Sequence, residues 1–340
     1  MITELYSNSI YMLLTILLFA LAFDLLIGEF PAKIHPVVWI GNIISFFKKY
    51  LIKYDNKISG LIVSICVIAV SSLIVLVPML LIKHFMYLND GMICLFKLVA
   101  LLLLSSTFSV KLLIDSARDV ERDLKNNNLN KARQAVSYLV SRKTSELNKE
   151  HVISAVIETL TENIPDSYVS TIFYYSIVGI IAFLLGFNDF TVVILAVLAA
   201  LIHRVVDTMD SMLGYKTDEL YNIGFVPAHL DDILNYIPAR ISGFLIIISA
   251  AFLALNWRGA YYIMQRDARN CDSPNSGYTM ATVAGALNIQ LIKKDTYILG
   301  DDNKDITKDD ISKAVSLSKI TINLFTIVII FLLSLIYVIL

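Results

Sequence analysis

The sequence predicts an all-α, polytopic integral membrane protein with about six crossings, one re-entrant or surface helix, and cytoplasmic helical loops. Three observations predict it. The 340 residues are 57% hydrophobic and their mean hydropathy is +0.69, whereas soluble domains sit near ~45–50% apolar. Apolar runs close to the ~20 residues that cross a bilayer as a helix recur along the chain. The polar stretches between them carry most of the Lys and Arg, as cytoplasmic loops do.

The candidate spans are residues 8–28, 58–82, 92–110, 171–187, 190–206, 241–257 and 320–340. Only Asn188 and Asp189 separate the fourth from the fifth, which predicts a tight hairpin. Asp24 and Lys97 fall inside spans, where an ionisable group is a functional suspect, although both sit near an end and can snorkel. The N-terminal ten residues have no Lys or Arg, which argues against a cleaved signal peptide. Lys and Arg number five in 29–57, nine in 111–170 and nine in 258–319. The three basic segments share one side only if 241–257, which follows Pro238 and Arg240, fails to cross. A re-entrant or surface-buried helix is therefore expected there.

The chain reads as one membrane-embedded catalytic domain over 1–340, with a helical insert at about 111–170 and a second polar segment at about 258–319. In the insert, LLIDSARDVERDL and KARQAVSYLV show helical spacing and are separated by KNNNLN, a polar turn. ELNKEHVISAVIETLTEN predicts a third helix, ended by a chain turn at Pro165 because proline disfavours helix at Ile164.

Net charge is -1, which offers no basic surface for nucleic acid. Cys66, Cys94 and Cys271 form no CxxC pair, so neither a disulfide framework nor a zinc site is supported. Chemistry is carried instead by polar clusters. Glu158 and Glu162 share a helix face at i, i+4, with Asn163 and Asp166 beyond them. This is either a solvated acidic edge or an oxygen-ligand set for Mg²⁺. HRVVDTMDSMLGYK, residues 203–216, places Arg204, Asp207 and Asp210 broadly on one face, followed by Lys216. Such acids either cap and snorkel or hold Mg²⁺ for phosphate chemistry. LDDILNYIPAR adds Asp231, Asp232, Asn235 and Arg240. GEFPAKIHPVVWIG is a loop shaped by Gly28, Pro31, Pro36 and Gly41, and it holds Glu29, Lys33 and His35. In RDARNCDSPNSG, residues 266–277, the SPNSG turn lets Ser276 or Asn275 cap a helix starting near Tyr278. Arg266 and Arg269 at i, i+3 can meet phosphate. A plain capped loop at the membrane surface is the alternative.

In order, DLLIGEFPAKIHPVVWIG, SRKTSELNKEHVISAVIETLTENIPDS, VDTMDSMLGYK, LDDILNYIPAR and RDARNCDSPNSG…AGALNIQL resemble the adenosylcobinamide-phosphate synthase (CobD/CbiB) family of cobalamin biosynthesis, over residues 24 to about 292. The resemblance implies an ATP-dependent ligase. It would join the free propionate of the corrinoid adenosylcobyric acid to aminopropanol or its O-phosphate as an amide, through an acyl phosphate. It implies ATP and Mg²⁺, a cell-membrane location with the site facing the cytoplasm, and later corrin-pathway membrane enzymes as possible partners.

By the family pattern, Glu158, Glu162, Asn163 and Asp166 are assigned to Mg²⁺ or amine activation. Asp207, Asp210, Asp231 and Asp232 are assigned to metal, with Lys216 and Arg240 on substrate or phosphate. Arg266, Asp267, Ser273, Asn275 and Ser276 are assigned to a phosphate clamp, and Glu29, His35 and Arg142 are lesser candidates. The chain departs from the pattern at GEFP, Lys143, Ser167 and Thr171. It has no G-x4-GK[ST] loop, so how ATP is held is not legible. Trp39, Phe173, Tyr174 and Tyr175 read as interfacial anchors or as corrin contacts. A prenyl or phosphatidyl-alcohol transferase using Asp-bound Mg²⁺, and an ion-coupled transporter, are the rival classes. The first needs a fuller Asp-rich motif than Asp207-x2-Asp210; the second needs an internal repeat and more polar spans.

Overall fold

A computed structural model describes residues 8–85, 91–140 and 142–340. In chain order its helices are α1 (Ser9–Leu26), α2 (Pro36–Leu51), α3 (Lys57–Phe85), α4 (Gly91–Ser105), α5 (Val110–Lys125), α6 (Leu129–Ser137), α7 (Lys149–Ile164), α8 (Ser170–Leu184), α9 (Asp189–Leu213), α10 (Phe225–Phe252), α11 (Trp257–Asp267) and α12 (Ser276–Leu287). A short antiparallel hairpin, β1 (Leu291–Lys293) and β2 (Tyr297–Leu299), precedes the last helix, α13 (Lys308–Ile339). Among the described residues, seven helical stretches are long and apolar enough to cross a membrane. Along α3, the exposed side chains include Leu61, Ile65, Leu73, Val77 and Leu81. Such a face suits lipid rather than water, so the architecture is that of an all-α, multi-pass membrane protein.

The chain divides into two compact units. The first comprises residues 1–109, 170–234 and 328–340. Its centre is α9, which packs against α8 and also touches α1, α2, α3 and α4. The α8–α9 hairpin forms as the spacing predicts. Gly186 turns the chain at φ +76°, and Asn188 caps α9 by accepting from the Thr191 N–H at 3.1 Å. Tyr175 is fully buried and its hydroxyl donates to the Leu13 carbonyl at 2.9 Å, so it is a core residue rather than a surface anchor.

The second unit comprises residues 110–169 and 235–327, so both long polar segments belong to it. The helices predicted in the insert appear as α5, α6 and α7, the last capped by Asn148 accepting from the His151 N–H at 2.8 Å. Helices α11 and α12 cross where two glycines meet. A Cβ on Gly285 would lie 2.3 Å from the Gly259 carbonyl oxygen, so any side chain there would force them apart. Asp310 closes the start of α13 by accepting from the Thr307 N–H and hydroxyl, each at 2.9 Å.

Four local expectations differ from the structure. The chain does not turn away at Pro165: it stays helical through a π-helical turn at Pro165–Val169 and runs on into α8. Proline lacks one N–H, and a widened turn absorbs that loss without breaking a long packed helix. Pro36 starts α2 instead of breaking it, as proline does at a first helical position, and Gly41 lies inside that helix. Helix α10 begins at Phe225 and runs through Pro238, well before residue 241, while α13 begins at Lys308 rather than near 320.

Helix α10 meets the length and composition of a span, whereas the sequence leads to a re-entrant or surface helix from residue 241 onward. Hydrogen bonds from Tyr297 to Glu158 and from the Ile292 N–H to Ser154 join the 258–307 stretch to the 110–169 stretch.

Candidate functional site

Within the second unit, Glu158 is the point on which several segments converge. Its side chain is only 4% exposed. Arg142 donates to its Oε2 at 2.8 Å and the Tyr297 hydroxyl donates to the same oxygen at 3.0 Å. The Ser154 hydroxyl donates to Oε1 while its own oxygen accepts from the Ile292 N–H at 3.0 Å. One carboxylate thus ties the 142 turn, α7 and the hairpin together. A buried charge with three donors is satisfied, so removing any donor leaves part of it exposed to desolvation cost.

Glu162, one turn further along the same face, is half-buried and lies within electrostatic reach of Cys271 and Tyr297. Burial pushes the Cys271 thiol up to about 12, and the carboxylates of Glu162 and Glu158 add to the rise. Burial likewise raises the Tyr297 phenol, again with both carboxylates contributing. The thiol and the phenol therefore keep their protons at neutral pH. Asn163 bends back to donate to the Thr159 carbonyl at 2.9 Å, and Asp166 sits in the π-helical turn. Turns of this kind recur at functional sites because they re-aim side chains.

The 266–277 segment belongs to the same unit, and its first two charged groups, Arg266 and Asp267, serve the fold. Arg266 donates to both oxygens of Asp267, at 2.6 and 2.8 Å, and to Asp301 at 2.8 Å. Asp267 is buried and also accepts from the Gly300 N–H at 2.8 Å. Burial alone would raise its carboxyl, but Arg266 and the Gly300 N–H outweigh burial and hold it below its usual value. Asn275 occupies the cap position of α12 without a side-chain cap bond. Its Oδ1 accepts from Arg240 at 3.0 Å instead, so the cap expected from Asn275 does not form, and Ser276 is the first residue of the helix rather than its cap. The Arg240 guanidinium lies over the rings of Tyr236 and Tyr278, 3.4 and 4.2 Å from their centres. Ser273 accepts from the Asn275 N–H at 3.2 Å. Ser276 hydrogen-bonds Cys271. Gly277 allows the turn to close, since a Cβ there would lie 2.1 Å from the Ala268 carbonyl oxygen.

The first unit gathers the other acids. Arg204 donates to Asp207 at 2.9 Å, and Asp210, in the last turn of α9, has Asp207 and Asp232 within electrostatic reach. Asp231 lies beside Asp232 in α10, half-buried, and Lys216 is exposed past the end of α9. Among the described residues, no group of three or more His, Cys, Asp or Glu side chains is close enough to hold a metal ion. Mg²⁺ commonly takes one or two carboxylates and completes its shell with waters and substrate phosphates. Asp207 and Asp210 offer hard oxygen donors of that kind, so the donor chemistry fits to that extent. Glu29 pairs with the His35 Nε2, and the His35 Nδ1 accepts from the Val37 N–H at 3.1 Å to cap α2. With both ring nitrogens engaged, this histidine shapes a loop. Thr171, one of the departures noted in the sequence, bonds the buried His203 at 3.1 Å.

Sequence reasoning missed Ser154, Cys271 and Tyr297. Tyr297 is 139 residues from Glu158, on a hairpin of three-residue strands with no periodic signal. Cys271 was considered only for pairing, although its place inside the 266–277 block was a usable signal.

A family model described as CobD/Cbib protein matches residues 17–318. The "Probable cobalamin biosynthesis protein CobD" of Methanothermobacter thermautotrophicus is 43% identical over 312 residues, covering 92% of this chain and 95% of the relative. Proteins with the same description from Methanocaldococcus jannaschii and Thermoplasma volcanium are 37% and 32% identical, covering 86% and 90% of this chain and 90% and 92% of the relatives. No solved structure matches the chain.

Proposed function

The chain belongs to the CobD/CbiB protein family, and from that premise we propose that it is a cobalamin-biosynthesis enzyme of the cell membrane. The proposed reaction joins the free propionate of adenosylcobyric acid to 1-aminopropan-2-ol or its O-phosphate by an ATP-dependent amide ligation. The site faces the cytoplasm in this reading, since ATP is there.

A carboxylate is a poor electrophile, so it is first activated. Its oxygen takes the terminal phosphoryl group as the bond to ADP breaks, giving an acyl phosphate. The amine nitrogen then attacks the acyl carbon, the C–O bond to phosphate breaks, and the nitrogen loses a proton. Glu162 is the group proposed to accept that proton. It shares a helix face with Glu158, and it is half-buried where Glu158 is buried. That difference in burial is the observation that carries the assignment, because two nearby carboxylates in different surroundings take different roles. Asp166, aimed by the π turn, and Asn163 are proposed to orient the amine. Asp207 and Asp210, with Asp231 and Asp232 nearby in sequence and fold, would hold Mg²⁺, which supplies charge neutralisation for phosphoryl transfer.

Glu162→Gln keeps shape and removes the base. The expected outcome is a loss of amide formation of about 10²-fold or more, with unchanged membrane abundance and unchanged thermal unfolding. Full activity in this variant removes Glu162 from the chemistry.

A further inference from the structure

Of the arginines at the expected phosphate clamp, Arg266 is bonded to Asp267 and Asp301, Arg240 is bonded to Asn275 and stacked on two tyrosines, and Arg269 is exposed. A denser group of positive charge lies elsewhere in the same unit. A cleft of about 470 Å³ is lined by Arg142 and Lys143 from one segment and by Lys293 and Lys294 from the β hairpin, against one carboxylate, Glu146. Among the described residues, Lys143, Lys293 and Lys294 form no ion pair with a carboxylate. Asn148 and His151, the cap and first turn of α7, line the cleft as well, so the positive end of a 16-residue helix points to it.

We propose that this cleft binds the polyphosphate chain of a nucleoside triphosphate. This rests on the ligase reading and deepens it. The volume falls in the range of small-molecule sites. The cations without a carboxylate partner are Lys143 on one segment and Lys293 and Lys294 on another, so a ligand with several linked anionic groups meets both segments, whereas one phosphate meets one. Arg142 joins the cleft to the carboxylate cluster, because its guanidinium lines the cleft and also donates to Glu158. Tyr297, which donates to that same carboxylate, follows Thr296 on the cleft wall.

The test is binding of Mg²⁺-ATP to the purified full-length protein in detergent, by calorimetry, with aminopropanol O-phosphate and inorganic phosphate as separate titrants. Lys143→Glu and Lys294→Glu alter exposed side chains. Each is expected to weaken ATP at least about tenfold, the factor of a single lost charged contact of ~1.4 kcal/mol, and to leave the phosphorylated amino alcohol within about twofold. Lys49→Glu makes the same charge change on an exposed residue of α2 and is expected to leave ATP unchanged. ATP affinity unmoved by Lys143→Glu and Lys294→Glu, in a protein that still forms product, overturns the cleft and leaves the ligase reading standing. Equal weakening by Lys49→Glu overturns it too, as does charge-dependent binding of the phosphate ester with none of ATP. Charge-dependent ATP binding in a protein that forms no amide supports the cleft and overturns the ligase reading instead.

Discussion

Glu158 and Glu162 share one face of α7, yet the first is buried and the second half-buried. The spacing of the two acids was legible, because a helical i, i+4 pair needs only periodicity. The surroundings of Glu158 were not, because its partners come from residues 142 and 297, which only the fold brings together. Cys271 gives a residue-scale check on this packing. Its thiol moves from 9.0 up to about 12, with burial as the main cause. The folded protein therefore keeps a proton that the unfolded chain loses above pH 9. This protonation contributes full stability below that point, and the contribution is lost as pH rises toward about 12. Iodoacetamide alkylation of the Cys271 peptide at pH 8, followed by mass spectrometry, is expected to be on the order of a hundredfold slower in the folded protein than in the detergent-unfolded one. Equal rates would contradict the buried, acid-flanked environment.

At the scale of elements, the turn at Pro165–Val169 links helix geometry to the site. The sequence pattern pointed to a break there, since local propensity at proline opposes helix. Packing prevailed: Ile164, Pro165, Tyr168 and Val169 are buried, and the Tyr168 hydroxyl bonds Thr326 at 2.7 Å. Pro165→Ala restores a backbone donor and removes the reason for the wider turn. The expected outcome is a protein as stable as the parent or more so, with product formation reduced about tenfold or more as Asp166 is re-aimed. Unchanged turnover together with raised stability would mean that the π turn has no part in positioning Asp166. The β hairpin was not legible at all. Strands of three residues carry too little alternation to stand out from a loop, and their place is set by the Ile292–Ser154 bond rather than by their own pattern.

For the whole molecule, the all-α membrane architecture was legible because hydropathy and length nearly determine it. The course of α10 was only partly so: its composition allows a crossing, while the basic residues on both sides of it argue from the sequence against one. Tyr262 is an exposed residue of α11, and Tyr262→Cys is expected to label with a membrane-impermeant maleimide only when the cytoplasmic face is open. Labelling of intact cells would place α11 outside and contradict the topology. The expected phosphate clamp shows the opposite limit of sequence reading. The block 266–277 was recognisable, but whether Arg266 faces a ligand or carboxylates of its own chain depends on Asp301, which only the fold brings to it. The central claim is amide formation driven by ATP, and purified protein in detergent with adenosylcobyric acid, aminopropanol or its O-phosphate, Mg²⁺ and ATP tests it most directly. The expected result, followed by mass spectrometry, is adenosylcobinamide or its phosphate formed in step with ATP cleavage and absent without ATP. Nucleotide left intact with neither amine incorporated would contradict the account.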